Sequence, residues 1–302
     1  MMIGELLDSD INKKRNGEAP VSTRRKRKTM NLLAIETTGA MASAALLEYG
    51  NGERLVVQRS SETMNHLQHL IPMISELLTK CKKQIGDVNV IAISQGPGSF
   101  TGIRIGMATA RMLAQVLDVP LVGVPTLKTF AYQEQPQGGL LCPIFDARRS
   151  QVYAGIYQRT EDGACRCLLE DGAYDLPDYL SGLQKAAATA GEAQAAVTLF
   201  GDGIAPYGEQ IAEAAQRMGI PLRSAPEDVR FQDAGCVARL GLELYQSGAG
   251  KSFSDIHPVY LRKAEAERKL EEAAAMKGGK AGQETSGAHG QAEKQGKSGA
   301  RI

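Results

Sequence analysis

A chain of 302 residues, with 43% hydrophobic and 23% charged residues, has the composition of a globular protein that can bury one or two substantial cores. No apolar run approaches the roughly 20 residues needed to cross a bilayer, and the amino-terminal residues lack an apolar signal-peptide core, so we expect neither a membrane nor a secreted protein. The net charge of +1 argues against a strongly basic nucleic-acid-binding chain.

Positive charge is concentrated at the amino-terminal end. Residues 1–29 have eight Lys or Arg and four Asp or Glu, a net charge of +4. Residues 264–302 have seven basic and six acidic residues, a net charge of +1. Subtracting both from the total of +1 leaves −4 for residues 30–263. Because this part of the chain is mildly acidic, we predict that the protein does not bind RNA or DNA by itself.

Both ends are predicted to be disordered. Residues 1–29 are polar and end in a basic run, Arg24–Lys28, which could contact nucleic acid or an anionic membrane but is more often a solvated tail. Met30 is an alternative initiator, because the first strand begins directly after it. Residues 264–302 have low complexity and bury too little apolar surface to offset their ordering entropy.

The cysteines are scattered rather than grouped. Cys165 and Cys167 are separated by one residue, which is poor spacing for a zinc knuckle or a redox CxxC motif. We therefore predict reduced thiols in a cytoplasmic protein. The five cysteines are Cys81, Cys142, Cys165, Cys167 and Cys236.

The apolar pattern after Met30 predicts three strands, a helix, a strand and a second helix. The predicted strands are 32–35, 42–47, 55–59 and 88–94, the helices are about 62–82 and 101–117, and a short strand follows at 121–124.

A glycine-rich segment joins the strand at 88–94 to the helix at 101–117. Gly96 and Gly98 allow backbone conformations that a Cβ forbids, and Ser99 or Thr101 is a suitable N-cap. The resulting helix amino terminus could hold a phosphate, although most turns of this kind bind nothing. The segment matches neither a Walker A loop nor a dinucleotide-binding fingerprint.

The second half of the chain repeats the order of the first. It has predicted strands at 140–145, 151–158 and 164–169, a helix at 176–190, a strand at 197–200 and a helix at 206–218. A duplicated βββαβα unit is a strong indication of fold. It predicts the two-lobed α/β fold of actin, Hsp70 and sugar kinases (ASKHA), with mixed sheets in lobes 30–127 and 128–263 and a last helix at 233–245 that is free to pack back on the first lobe.

In that fold the turn after each lobe's first strand faces the cleft between the lobes. Glu36, Thr37, Asp146 and Arg148 are therefore the candidate cofactor-binding residues. Asp146 and Arg148 are equally suited to a structural ion pair. The stretch Gly201–Gly203 lacks the glycine-rich surroundings of an adenosine loop and is predicted to be a turn.

Six short motifs occur in order across residues 30–263. They are MNLLAIETT at 30–38, NHLQHLIP at 65–72, GPGSFTGIRIG at 96–106, VGVPTL at 122–127, DARR at 146–149 with Val152 and Tyr153, and PVYLR at 258–262. Together they resemble the bacterial TsaB (YeaZ) family of tRNA threonylcarbamoyladenosine biosynthesis proteins. Glu36 departs from the family, which usually has Asp there, and this weakens a metal-nucleotide role for the turn.

The resemblance implies a role without catalysis. TsaB proteins pair with TsaD, the paralogue that transfers threonylcarbamoyl to the adenosine next to the anticodon in tRNAs reading codons that begin with adenine, and with the ATPase TsaE. It further implies a heterodimer with TsaD, contact with tRNA only through the complex, and a possible homodimer when TsaD is absent.

Two rival functions stay open. A stand-alone ATP-dependent enzyme of this fold would carry cleft-turn acids and a glycine-rich adenosine loop, which are only partly present. A glycoprotease-like metallopeptidase would carry the His-x-x-x-His pair of TsaD, but residues 124–130 contain no histidine. His66 and His69 lack an evident third ligand. We therefore predict no catalytic residue, no metal site and no cofactor.

The resemblance also implies where the partner binds. Helices 62–82 and 101–117 are expected to pair with their counterparts in TsaD as a helical bundle. Met73, Met107 and Ala114 are expected to lie outside the stripe that faces the core. The predicted contact residues are Met64, His66, Leu67, Met73, Arg104, Met107, Ala110, Arg111 and Ala114.

Overall fold

Two five-stranded mixed sheets, each flanked by helices, make up the structure, a computed structural model. It describes residues 29–50, 52–60, 66–133, 139–160, 163–190 and 196–262. The two ends predicted to be disordered, residues 1–29 and 264–302, lie outside the described residues except for residue 29, and Met64 lies outside them as well.

The first sheet has the strand order β3-β2-β1-β4-β5. β1 pairs antiparallel with β2 and parallel with β4, and helices α1 and α2 cover the outer face. The middle of β1, residues 32–35, is buried and continuously apolar because both faces of the sheet are covered. The elements are β1 Met30–Glu36, β2 Ser43–Tyr49, β3 Glu53–Arg59, α1 His66–Lys80, β4 Val90–Ser94, α2 Phe100–Leu117 and β5 Leu121–Val124.

The second sheet repeats this topology with the order β10-β9-β6-β7-β8. β6 takes the place of β1, since it pairs antiparallel with β7 and parallel with β9. The predicted duplication and the α/β fold class are therefore confirmed. The elements are β6 Leu140–Asp146, β7 Gln151–Arg159, β8 Cys165–Asp175, α3 Leu176–Ala190, β9 Val197–Phe200, α4 Ile204–Arg217 and β10 Leu222–Ser224.

A shared core joins the inner faces of the two sheets. The last helix, α5 Ala234–Gln246, packs against β1, β2, β4 and β5 of the first sheet. The ring of Phe130 lies 5.8 Å from that of Phe145 and 5.4 Å from that of Phe200, measured between centroids. The same apolar cluster holds first-sheet residues such as Leu32. The lobe boundary near residue 127 stays a prediction.

All five cysteines lie in the described part of the chain. Among these described residues no disulfide forms, and burial raises the pKa of the Cys167 thiol to about 11, which keeps it protonated at neutral pH. Within the described ranges no helix has the length and apolar character to cross a bilayer.

β8 is longer than its predicted extent of 164–169. Its 11 residues pair with the 9 of β7 through two irregularities, one between Ala154 and Ile156 and one between Ile156 and Tyr157. At each irregularity extra residues of one strand lie opposite fewer residues of the other, as in a β-bulge. Asp171 lies at the first irregularity, where it accepts a hydrogen bond from the Tyr157 hydroxyl.

Asp171 should make the stability of the fold depend on pH. Burial raises the pKa of this carboxyl from 3.8 to about 6, against the lowering effect of the Tyr157 hydrogen bond. Because the folded-state pKa is the higher one, its contribution to stability is complete below the unfolded pKa and is lost as the pH rises through about 6. We expect Asp171→Asn to remove this part of the pH dependence in urea unfolding, whereas exposed Asp175→Asn keeps it. Parallel profiles for wild type and Asp171→Asn would contradict the prediction.

Candidate functional site

The glycine-rich segment is a tight link between β4 and α2. Gly96 and Gly98 have φ of +117° and +152°, in the region that favours glycine. The Ser99 side chain accepts a hydrogen bond from the amide of Gly102 at 3.2 Å, so Ser99 is the N-cap of α2. Of the two predicted N-caps, Ser99 and Thr101, Ser99 is the one observed.

The turn after β1 lies directly on this segment. The Ser99 amide donates to the Thr38 carbonyl at 2.8 Å, and the Thr37 hydroxyl donates to the Gly102 carbonyl at 2.8 Å. A Cβ at Gly102 would overlap the Thr37 carbonyl oxygen, and one at Gly106 would overlap the Thr37 hydroxyl. The glycines therefore allow close packing between the turn and the helix, which is a structural reason for the motif that does not require a bound phosphate.

Glu36 is enclosed by this packing. Its side chain is 0% exposed and accepts hydrogen bonds from the amide and hydroxyl of Thr38 and from the Ser94 hydroxyl. Burial raises the pKa of the Glu36 carboxyl, and its hydrogen bonds oppose that effect. Thr37 is also 0% exposed. The expectation that Glu36 and Thr37 face a cleft is therefore wrong, because both side chains are used in internal packing.

The corresponding turn after β6 is more open. Asp146 accepts hydrogen bonds from the Arg148 amide at 2.7 Å and the Tyr207 hydroxyl at 3.2 Å, and its carboxylate lies 3.2 Å from the Arg148 guanidinium. The Asp146 amide donates to Asp202 at 3.2 Å. The Arg148 side chain is 85% exposed. These contacts suit a structural ion pair that fixes the turn, and a cofactor role for Asp146 and Arg148 stays a prediction.

Helix α2 faces the core with different residues from those predicted. Met107, Ala110 and Ala114 are buried in the apolar cluster between α2 and the first sheet, together with Met73 of α1. Placing Met73, Met107 and Ala114 outside the core-facing stripe is therefore wrong. The error has a physical cause: α2 has apolar residues almost all round, so its periodicity does not define one stripe.

The outward side of α2 combines small, apolar and basic side chains. Arg104 and Ala108 are exposed, whereas Ile105, Arg111 and Met112 are half-buried. On α1, whose side chains are described from Gln68 onward, Gln68 and Glu76 are exposed. The side chains of His66 and Leu67 lie outside the described part, so their predicted partner contacts stay predictions.

The amino end of α2 carries a group of three side chains, here called the Arg104 clamp and consisting of Phe100, Arg104 and Tyr260. The Arg104 guanidinium carbon lies 3.9 Å from the Phe100 ring centroid, and its Nε donates to the Tyr260 hydroxyl at 3.3 Å. The two rings are 5.1 Å apart. Sequence reasoning missed Tyr260, although its PVYLR motif was a signal that this segment has a specific role.

The segment that carries Tyr260 is held against the glycine-rich link. The Val259 amide donates to the Gln95 carbonyl at 2.7 Å, and the Val259 carbonyl approaches Gly96 so closely that a Cβ there would overlap it. Ile256 is buried in the same cluster as Met107. Tyr260 is therefore positioned by main-chain contacts of its neighbour Val259 with Gln95 and Gly96.

Metal binding finds no support in the part of the chain that the structure describes. There, no group of three His, Cys, Asp or Glu side chains comes together as a metal site. The absence of a metal site in the whole protein stays a prediction.

Comparisons with known proteins match the chain to a TsaD family model and to TsaB relatives. A family model described as TsaD, tRNA N6-adenosine threonylcarbamoyltransferase, matches residues 60–270. The tRNA threonylcarbamoyladenosine biosynthesis protein TsaB of Bacillus subtilis is 33% identical over 245 residues, which cover 80% of this chain and 97% of the relative. TsaB of Escherichia coli is 37% identical over 138 residues, 44% of this chain and 58% of the relative.

Solved structures from Pseudomonas aeruginosa show the same likeness. YeaZ matches with a TM-score of 0.60 and 27% identity, covering 77% of this chain and 100% of its own. A protein described as similar to the peptidase YEAZ matches with a TM-score of 0.62 and 28% identity, over 77% of this chain and 100% of its own.

Proposed function

Because the chain belongs to the TsaB family of tRNA threonylcarbamoyladenosine biosynthesis proteins, we propose that it takes part in making this modified nucleoside as a subunit that supports catalysis without performing it. Its partners are a TsaD-type catalytic subunit, which transfers the threonylcarbamoyl group, and a TsaE-type ATPase. It meets tRNA only within that complex. A cytoplasmic location and a homodimer in the absence of the catalytic subunit stay predictions.

The buried turn after β1 carries the proposal of a non-catalytic role. In an ATP-dependent enzyme of this fold that turn would present its acidic residue to a metal-nucleotide. Here the carboxyl of Glu36 is fully enclosed and hydrogen-bonded to Thr38 and Ser94. Because Glu36 has no exposed surface, a ligand could reach its carboxyl only if the surrounding packing moved. This argues against a stand-alone ATP-dependent enzyme, and the described residues offer no ligand set for a metallopeptidase.

The outward side of α2 is the proposed contact with the catalytic subunit. Ala108 is exposed at its centre, where a small side chain lets a second helix approach closely. Ile105 and Met112 beside it pack in part against the core cluster and leave the rest of their apolar surface exposed. This set replaces Met107, Ala110 and Ala114, whose side chains already pack in the core.

Omission of single components tests the role. Purified chain, TsaD-type subunit and TsaE-type ATPase are combined with unmodified tRNA and the threonylcarbamoyl-adenylate precursor, and the modified nucleoside is measured. We expect product to be lost when this chain is left out. We also expect no product when this chain is the only protein present. Transfer by the chain alone, or full activity without it, would refute the proposal.

Substitution of Ala108 tests the surface. Ala108→Arg places a long cation beside Arg104 and Arg111 and prevents close approach of a helix, while the exposed position leaves the fold intact. An unpaired buried charge costs about 3 kcal/mol or more, so we expect binding of the TsaD-type subunit to weaken by about a hundredfold, with parallel loss of tRNA modification. Exposed Ala212→Arg on α4 is the matched control. Equal binding by both variants would move the contact off α2.

A further inference from the structure

We propose that the Arg104 clamp is a preorganised site for a carboxylate on the partner helix, and that Tyr260 acts as a positioning residue for Arg104. This inference rests on the proposed function, because it names the chemistry by which the same surface recognises its partner. It also gives Tyr260 of the PVYLR motif a role in partner binding, in addition to the packing of its segment against the glycine-rich link.

The clamp holds a charged side chain in one place at the surface. Phe100, Tyr260 and neighbouring Val259 are three of the six large apolar side chains that are exposed in the described part of the chain. The Phe100 ring lies under the guanidinium and the Tyr260 hydroxyl accepts from Nε. This contact uses one of five guanidinium N–H groups, so the terminal nitrogens are left to pair with an incoming acid. Fixing the side chain in advance lowers the entropy cost of that pairing.

The charge on this surface calls for an acidic partner. α2 carries Arg104 and Arg111 and no Asp or Glu over its 18 residues. Among the described residues, no carboxylate lies within ion-pair distance of Arg104. The described residues therefore supply no negative charge for Arg104, and a carboxylate on another molecule would complement it; electrostatic complementarity of this kind determines partner choice.

A protein helix fits this surface better than RNA or a second copy. Residues 30–263 have a net charge of −4, which disfavours a polyanion, and on α2 the small side chain of Ala108, not a third cation, lies between Arg104 and Arg111. A two-fold symmetric contact centred on this face would bring Arg104 near the positive charges of its own copy. The occupant is therefore a helix of the TsaD-type subunit with a small or apolar residue over Ala108 and an Asp or Glu at the level of Arg104.

Binding of the purified TsaD-type subunit to the full chain, measured at low and high salt, tests the proposal. We expect Arg104→Gln to weaken binding by roughly 10- to 100-fold, as for a hot-spot arginine, and to reduce its salt dependence. Arg104→Lys keeps the charge but lacks the planar guanidinium group, so its affinity should be intermediate between those of wild type and Arg104→Gln. Arg217→Gln on α4 removes the same charge from an exposed position and should change little. Unaltered binding by Arg104→Gln would overturn the proposal.

Tyr260→Phe tests the positioning role. Losing one hydrogen bond should weaken binding by about three- to tenfold with the salt dependence preserved, since the cation stays. In the Arg104→Gln background the same change should have no further effect, because Tyr260 acts through Arg104. If the losses of affinity in the double variant are additive, or if a lowered melting temperature accounts for the weaker binding, Tyr260 does not act by positioning Arg104.

Two outcomes separate this inference from the function on which it rests. If wild type does not bind the TsaD-type subunit, the proposed function and the inference both fail. If wild type binds and the Arg104 variants bind equally well, only the inference fails. Binding of tRNA to the chain alone that is weakened by Arg104→Gln, with partner binding unchanged, would assign the clamp to RNA and also overturn it.

Discussion

Met107→Glu is expected to unfold the protein rather than only block a partner. Met107 is 3% exposed and packs in the cluster between α2 and the first sheet, so glutamate there would be a buried carboxylate without a partner. The cost is about 3–5 kcal/mol, comparable to the whole stability of a marginal domain. Circular dichroism and thermal melting should show a lost or strongly lowered transition.

The next residue along the helix is the matched control. Ala108 is exposed, and glutamate at 108 lies one turn from Arg104, where the two charges attract. Ala108→Glu should therefore melt close to wild type. If Met107→Glu and Ala108→Glu both stay folded with similar melting temperatures, the assignment of the core-facing side of α2 is wrong.

Gly102→Ala is expected to destabilise the fold strongly, although alanine favours helices by about 1 kcal/mol over glycine. The new Cβ would overlap the Thr37 carbonyl oxygen, a main-chain atom that cannot rotate away. Relief requires the turn after β1 to move, which breaks the hydrogen bond from Thr37 to Gly102 and disturbs the enclosure of Glu36. We expect a net loss of about 3 kcal/mol or more in urea unfolding.

Gly106 allows a rescue experiment on the same contact. Its new Cβ would overlap the Thr37 hydroxyl, a side-chain atom that Thr37→Ala removes. Gly106→Ala should be destabilising alone, and the double variant should lose less than the sum of the two single changes. Gly208→Ala on α4 meets only the Ile204 side chain and should change stability little. Additive effects at Gly106 and Thr37 would contradict the close packing.

Sequence pattern alone determined the architecture. The strands and helices of each half leave local signals, because alternation marks a strand and three-and-four spacing marks a helix. The repeated order of elements then predicted the duplicated α/β fold. The family was indicated by resemblance, because the ordered motifs across residues 30–263 are similar to those of TsaB proteins.

Only the tertiary structure determined which side chains are buried and which are exposed. Periodicity could not distinguish Met107 from Ala108, because α2 is apolar nearly all round and only packing against the first sheet buries one of them. The enclosure of Glu36 depends on the close approach of Thr37 to two glycines about 65 residues later in the chain. The contact of Arg104 with Tyr260 joins residues 156 positions apart. Such contacts arise when distant segments fold onto one another, and no local pattern encodes them.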